Sequence, residues 1–163
     1  MKFLVLASGL LVRNGALLLV RCRYEDEPEP LWTLPGGRQE PGEPLARTVQ
    51  REFREEAGLD VTPSRVAYVS DSVDRHTASA VVNCTFWVDE AGTLREPMPA
   101  DDAVICARFV PLADAPQLLE ADVLGIPVVA ALAEPAIAHY FSFDSRTIRV
   151  PFFRRTNASA QHG

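Results

Sequence analysis

The chain has 163 residues, of which 47% are hydrophobic and 23% charged. That composition fits one globular domain with a sizeable core and excludes a disordered, collagen-like or multidomain chain. Sixteen Lys and Arg against twenty-two Asp and Glu leave a formal charge of −6, so no global positive field is available to gather a nucleic acid polymer or an anionic membrane surface. Lys2 precedes an apolar run, Phe3 to Val12, but Arg13-Asn14-Gly15 interrupts it with turn chemistry and a second run, Ala16 to Val20, follows. The opening therefore reads as a hairpin of strands near 3–13 and 15–23 and not as a leader peptide. No apolar stretch is long enough to span a bilayer.

A polar acidic loop, Tyr24 to Pro30, leads to Trp32 and to a turn at Pro35-Gly36-Gly37. Pro44 sits where a first helical residue would, and Gly58 follows the expected last turn, so 44–57 reads as a helix punctuated at both ends. Strands are expected at 64–71, 76–89 and 104–110, rich in Val, Thr, Phe and Trp. Helices are expected at 114–120 and 127–133, with Gly125 and Pro127 as breakers between them. A late hairpin is expected over 138–150, and a frayed tail from 156. Strands on both sides of a central helix, without a regular βαβα repeat, give an α/β chain with a mixed sheet between helices. Cys22, Cys84 and Cys106 are odd in number and form no CxxC pair, which reads as free thiols in a cytoplasmic protein and not as a disulfide framework or a zinc site.

The stretch 37–59, GRQEPGEPLARTVQREFREEAGL, carries the chemistry. At about 100° per residue, Leu45, Ala46, Val49, Phe53 and Ala57 form an apolar stripe. Glu52 and Glu56 fall inside or beside that stripe, with Glu55 adjacent, whereas a merely solvated acidic face would place them opposite. Three carboxylates at i, i+3 and i+4 at the edge of a core are costly unless a proton or cation compensates them. A hard divalent cation that bridges carboxylates to substrate phosphates is the natural compensation, and a chain of net negative charge needs one to receive a phosphate substrate.

Gly37, Glu43, Arg51-Glu52, Glu55-Glu56 and Gly58, with apolar Phe53 and Leu59, match the pattern G-x5-E-x7-R-E-U-x-E-E-x-G-U, where U is apolar. Chance would produce those fixed identities on the order of once in a million sequences. The stretch resembles the Nudix box, and Trp32-Thr33-Leu34-Pro35-Gly36-Gly37 resembles its lead-in. The resemblance covers residues 3 to about 133. It implies an α/β/α sandwich and hydrolysis, with Mg²⁺ or Mn²⁺, of a nucleoside diphosphate linked to another group. It also implies Glu52, Glu55 and Glu56 as metal-binding and water-activating groups, the Gly36 carbonyl as a further ligand, Arg51 as the group that orients a glutamate, and Glu43 as a brace for the loop. An added acidic ligand from a later loop is expected at Asp101 or Asp102, with Asp102 the choice.

Gly37, Arg23, Trp32 and His76 are the candidates for substrate contact. Trp32 reads more readily as core or loop packing, and His76 as solvent-exposed or locally hydrogen-bonded. Arg146, Arg149, Arg154 and Arg155 could reach phosphates, meet the acidic 25–29 loop of a partner subunit, or be solvated. The absence of a proline around Asp71 to His76, where the ADP-ribose subgroup commonly carries one, weighs against ADP-ribose. The expected layout is a Nudix domain over 1–135, an extension packed on it over 136–155 and a tail over 156–163, as a monomer or homodimer. Alternative functions are a nucleoside triphosphate pyrophosphohydrolase that releases pyrophosphate, and a nucleotide-binding regulatory module without catalysis.

Overall fold

The computed structural model describes residues 1–151; Arg154, Arg155 and the expected tail at 156–163 lie outside the described residues. Strand β1 (Lys2–Leu10) is followed by β2 (Val12–Arg13) and β3 (Ala16–Cys22). Asn14 and Gly15 both have positive φ, 50° and 74°, so they make the two-residue turn whose twist suits a hairpin, and Arg13 pairs with Ala16. Strands β4 (Leu31–Thr33) and β5 (Gly36–Arg38) precede helix α1 (Leu45–Ala57). Strands β6 (Val61–Asp74), β7 (Ser79–Glu90) and β8 (Val104–Pro111) come next, then helices α2 (Ala115–Leu118) and α3 (Asp122–Ala133) and strand β9 (His139–Asp144).

The strands form two sheets. One runs β5-β1-β7-β6-β9 and is mixed, with β1 parallel to β7 and β6 parallel to β9. In the other, β3 pairs with β8, β2 and β4. Strand β3 is apolar almost throughout because both of its faces are covered. Leu17 and Leu19 join a core with Val128 and Ala131 of α3, while Leu18 joins a second core with Val49, Phe53 and Ala57 of α1. Strand β1 divides the same way, Leu10 toward α3 and Ala7 toward α1. The helices thus lie on opposite faces, and the expected α/β/α sandwich with a mixed sheet is the fold observed.

Four expectations change. Gly125 and Pro127 do not separate helices but lie inside α3, and the expected helix at 114–120 shrinks to α2. Pro127 falls in the second turn, where it forfeits one bond, and burial of Pro127, Val128 and Ala131 outweighs that loss. Gly125 is needed because a Cβ there would stand 2.8 Å from Leu119 O. The expected late hairpin is one strand, β9, laid parallel on β6 with Phe141 packed edge-on to Tyr68. Arg149, largely exposed, pairs with Glu27 of its own chain's acidic loop. Ala46 is exposed, so the buried arc of α1 is rotated toward Thr48, Glu52 and Glu56.

Candidate active site

Helix α1 begins after Pro44, whose extended φ of −64° and ψ of 148° precede the first turn. It ends at Gly58, where φ is 66°. A Cβ on Gly58 would strike Met98 O, so the left-handed ending and the close chain passage both require glycine. The passing segment covers the helix end: Met98 N–H donates to Ala57 O at 2.8 Å, and the Ala100 and Asp101 N–H groups both donate to Glu55 O at 2.9 Å. Carbonyls that the helix cannot satisfy are thereby capped by a loop more than forty residues later in the chain.

Arg51 ties the 38–44 loop to the helix. Its Nε and Nη2 donate to the two carboxylate oxygens of Glu43 at 2.9 and 3.0 Å, and Nη2 also donates to Arg38 O at 2.9 Å. Its Nη1 donates to Glu52 Oε1 at 3.0 Å and lies 3.5 Å from Glu55 Oε2. Thr48 Oγ1 adds a bond of 2.7 Å to Glu43. The Arg51 guanidinium holds the Glu43 carboxyl down to about 2, and Glu43 in turn raises Arg51 above its ordinary value. Arg51 thus stands between Glu43 on the loop and Glu52 on the helix.

Glu52 and Glu56 are 4% and 0% exposed, one helical turn apart on the buried face of α1. Desolvating a carboxylate costs several kcal/mol unless it is compensated. Arg51 supplies that for Glu52, while Glu56 receives the Gly36 N–H on Oε1 at 3.1 Å and the Cys22 thiol on Oε2 at 3.7 Å. Gly37 faces Glu52 so closely that a Cβ would overlap Oε1. The side chain of Glu55 is 47% exposed. Among the described residues, no group of three or more His, Cys, Asp or Glu side chains is gathered as a metal cluster. The donor set is nonetheless all carboxylate oxygen, with one guanidinium shared by Glu43, Glu52 and Glu55, and it fits a hard divalent cation that completes its shell with water and substrate oxygens.

Gly36, Gly37, Arg51 and Glu52 line a cleft of about 540 Å³. That is within the roughly 300 to 1,000 Å³ typical of small-molecule sites. Its other wall was not foreseen. Ser8, Thr33 and Asn83 stand in it beside Leu6 and Leu34, with Lys2 and Arg38 adding positive charge. Parallel pairing of β1 and β7 sets Ser8 opposite Thr85 and Leu6 opposite Asn83. Ser8 and Thr85 hydroxyls lie 2.6 Å apart, and Asn83 Nδ2 donates to Thr85 Oγ1 at 2.8 Å. The available signal was polar residues that interrupt apolar strands, Ser8 within 3–12 and Asn83 and Thr85 within 76–89.

Arg23, Trp32 and His76 do not line that cleft. Trp32 packs against the α3-side core with the Arg108 guanidinium 4.7 Å from its ring centroid. Arg23 is exposed, and its N–H donates to Ala103 O at 2.9 Å. His76 lines a separate depression of about 370 Å³ with Arg146 and Arg149. Asp101 Oδ1 accepts the Ala103 N–H at 2.8 Å, and Asp102 beside it is exposed.

A loop-helix-loop on a mixed-sheet sandwich thus buries two glutamates beside a glycine pair. The NUDIX domain model matches residues 4–132, and the chain belongs to the Nudix family. It is 32% identical over 130 residues to the human 8-oxo-dGDP phosphatase NUDT18, covering 79% of this chain but only 38% of that protein's length. It is 30% identical over 97 residues to the CTP pyrophosphohydrolase of Escherichia coli K12, covering 58% of this chain and 70% of that one. A solved NUDIX hydrolase from Nitrosomonas europaea shares the fold at a TM-score of 0.69 with 16% identity, over 81% of this chain and 90% of its own. No helix among the described residues is long and apolar enough to cross a membrane.

Proposed function

We propose that the chain is a Mg²⁺-dependent pyrophosphohydrolase, with Mn²⁺ as a substitute. It cleaves a nucleoside diphosphate linked to another moiety into a nucleoside monophosphate and a phosphorylated remainder. The observation that carries this reading is the burial of Glu52 and Glu56 side by side behind Gly36 and Gly37, at a cleft with polar groups on its far wall. Glu52, Glu55 and Glu56 would hold the cation, with the Gly36 carbonyl and Asp102 as candidate further ligands. The bound cation would neutralise phosphate charge and lower the pKa of a water molecule. Arg51 would keep Glu52 oriented, and Glu55, half exposed one turn along from it, would accept a proton from the attacking water. Gly37 leaves the backbone open to the phosphates, and Lys2 and Arg38 offset part of the charge of Glu25, Glu40 and Glu52 in the same cleft.

Similarity to a CTP pyrophosphohydrolase, most of whose length is matched, supports a second reading, release of pyrophosphate from a nucleoside triphosphate. Incubation with 8-oxo-dGDP, CTP, nucleotide sugars and dinucleoside polyphosphates, with Mg²⁺ and with chelator, separates the readings by product. Turnover of no panel member, with a rise in Tm on nucleotide addition, would leave the regulatory module. The proposal extends to a Nudix domain of residues 1–135 with the later strand β9 packed on it, to a cytoplasmic location, and to a monomer or homodimer.

A further inference from the structure

Cys22 stands against the buried end of the acidic site, and nothing in the proposed chemistry uses it. It closes β3, where the pairing with β8 slips between Arg21 and Cys22, and its side chain falls in a small cluster with Val20, Tyr24 and Val104. Cys22 and Glu56 are both 0% exposed. The thiol lies 3.7 Å from Glu56 Oε2, while the Gly36 N–H holds Glu56 Oε1 at 3.1 Å. The last torsion of a glutamate side chain is soft, with broad minima. A carboxylate held at one oxygen can still turn about that contact, but one held at both oxygens from two different strands cannot.

We infer that Cys22 is a positioning residue for Glu56: its thiol and the Gly36 N–H clamp the carboxylate between β3 and β5 and fix the plane it presents to a cation. The inference rests on the reading of Glu56 as a metal-binding group. A thiol suits this place because it is a weak donor inside an apolar cluster. It orients the carboxylate without the stronger competition that a charged donor would offer. The clamp leaves room for a cation, since an ionised carboxylate has about four acceptor positions.

Mn²⁺ affinity, read from the paramagnetic resonance of free Mn²⁺ and compared with the Tm of each metal-free protein, tests this without any substrate. Partners that orient metal ligands commonly contribute 10- to 100-fold in affinity. Because a thiol is a weak donor, Cys22→Ala should lose about tenfold, Cys22→Ser should recover most of that loss, and Cys22→Ala should add nothing in a Glu56→Gln background. The infrared S–H stretch of the unmodified Cys22 should also move on Glu56→Gln, which requires no change at Cys22 and no folded Cys22→Ala. Parental affinity in Cys22→Ala, an equal loss in both backgrounds, or an unmoved S–H stretch would overturn the inference. If Glu56→Gln itself binds Mn²⁺ like the parent, the metal reading fails and the positioning role falls with it.

Discussion

Replacing Glu43 with Gln removes one half of the brace between the 38–44 loop and α1. The parent carboxyl is held down from its ordinary 4.5 to about 2, chiefly by the hydrogen bonds from Arg51, with Thr48 and the Glu40 N–H adding to the effect and burial opposing it. At 1.36 kcal/mol per unit, that depression corresponds to about 3 kcal/mol. The two side chains are 15% and 23% exposed, so solvent screening brings the expected contribution to about 1–2 kcal/mol. The folded carboxyl is the stronger acid, so the unfolded chain takes up its proton first as pH falls. The contribution is full above about pH 4.5 and is lost as pH falls toward 2. Urea unfolding of the parent and Glu43→Gln from pH 7 down to pH 3 should show a gap of about 1–2 kcal/mol that narrows below pH 4.5. A gap under about 0.3 kcal/mol at pH 7, or one that stays constant to pH 3, would refute the brace.

The two neighbouring glycines should fail in different ways. A Cβ on Gly37 meets only the tip of Glu52, which can swing aside, so Gly37→Ala should melt near the parent while kcat falls about 100-fold through the displaced carboxylate. A Cβ on Gly36 would stand 2.5 Å from Ala7 O, which is backbone and cannot yield, so Gly36→Ala should cost about 2–3 kcal/mol in denaturant unfolding. Asp102→Asn should raise the Mg²⁺ concentration needed for half-maximal rate at unchanged Tm; a parental titration would remove Asp102 from the ligand set. Adding Mg²⁺ to metal-free protein should raise Tm, and Glu52→Gln should abolish most of that rise, as differential scanning fluorimetry would show.

Local chemistry made much of this molecule legible. The Asn14-Gly15 turn, the Pro44 and Gly58 punctuation of α1 and the box carboxylates all depend on residues within a turn or two of one another. The helical wheel placed Glu52 and Glu56 next to the apolar stripe, but it could not show that they lie within the buried arc while Ala46 is exposed, because that depends on which strands meet the helix. The polar wall of the cleft escaped because Ser8 and Thr85 are neighbours only through parallel pairing across 77 positions. The late segment was misjudged for the same reason. Its alternation suits a strand, yet its partner is the distant β6 and not the following residues. Pro127 misled because proline's local cost is small beside the burial it accompanies in α3.

Phosphorus NMR of the reaction of a nucleoside diphosphate derivative with the parent and with Glu56→Gln, each with Mg²⁺ and with chelator, tests the central claim most directly. The proposed chemistry predicts conversion to a nucleoside monophosphate and a phosphorylated remainder by the parent with Mg²⁺, and a loss of about 100-fold or more in either control. Equal rates in Glu56→Gln, or undiminished turnover in chelator, would contradict it.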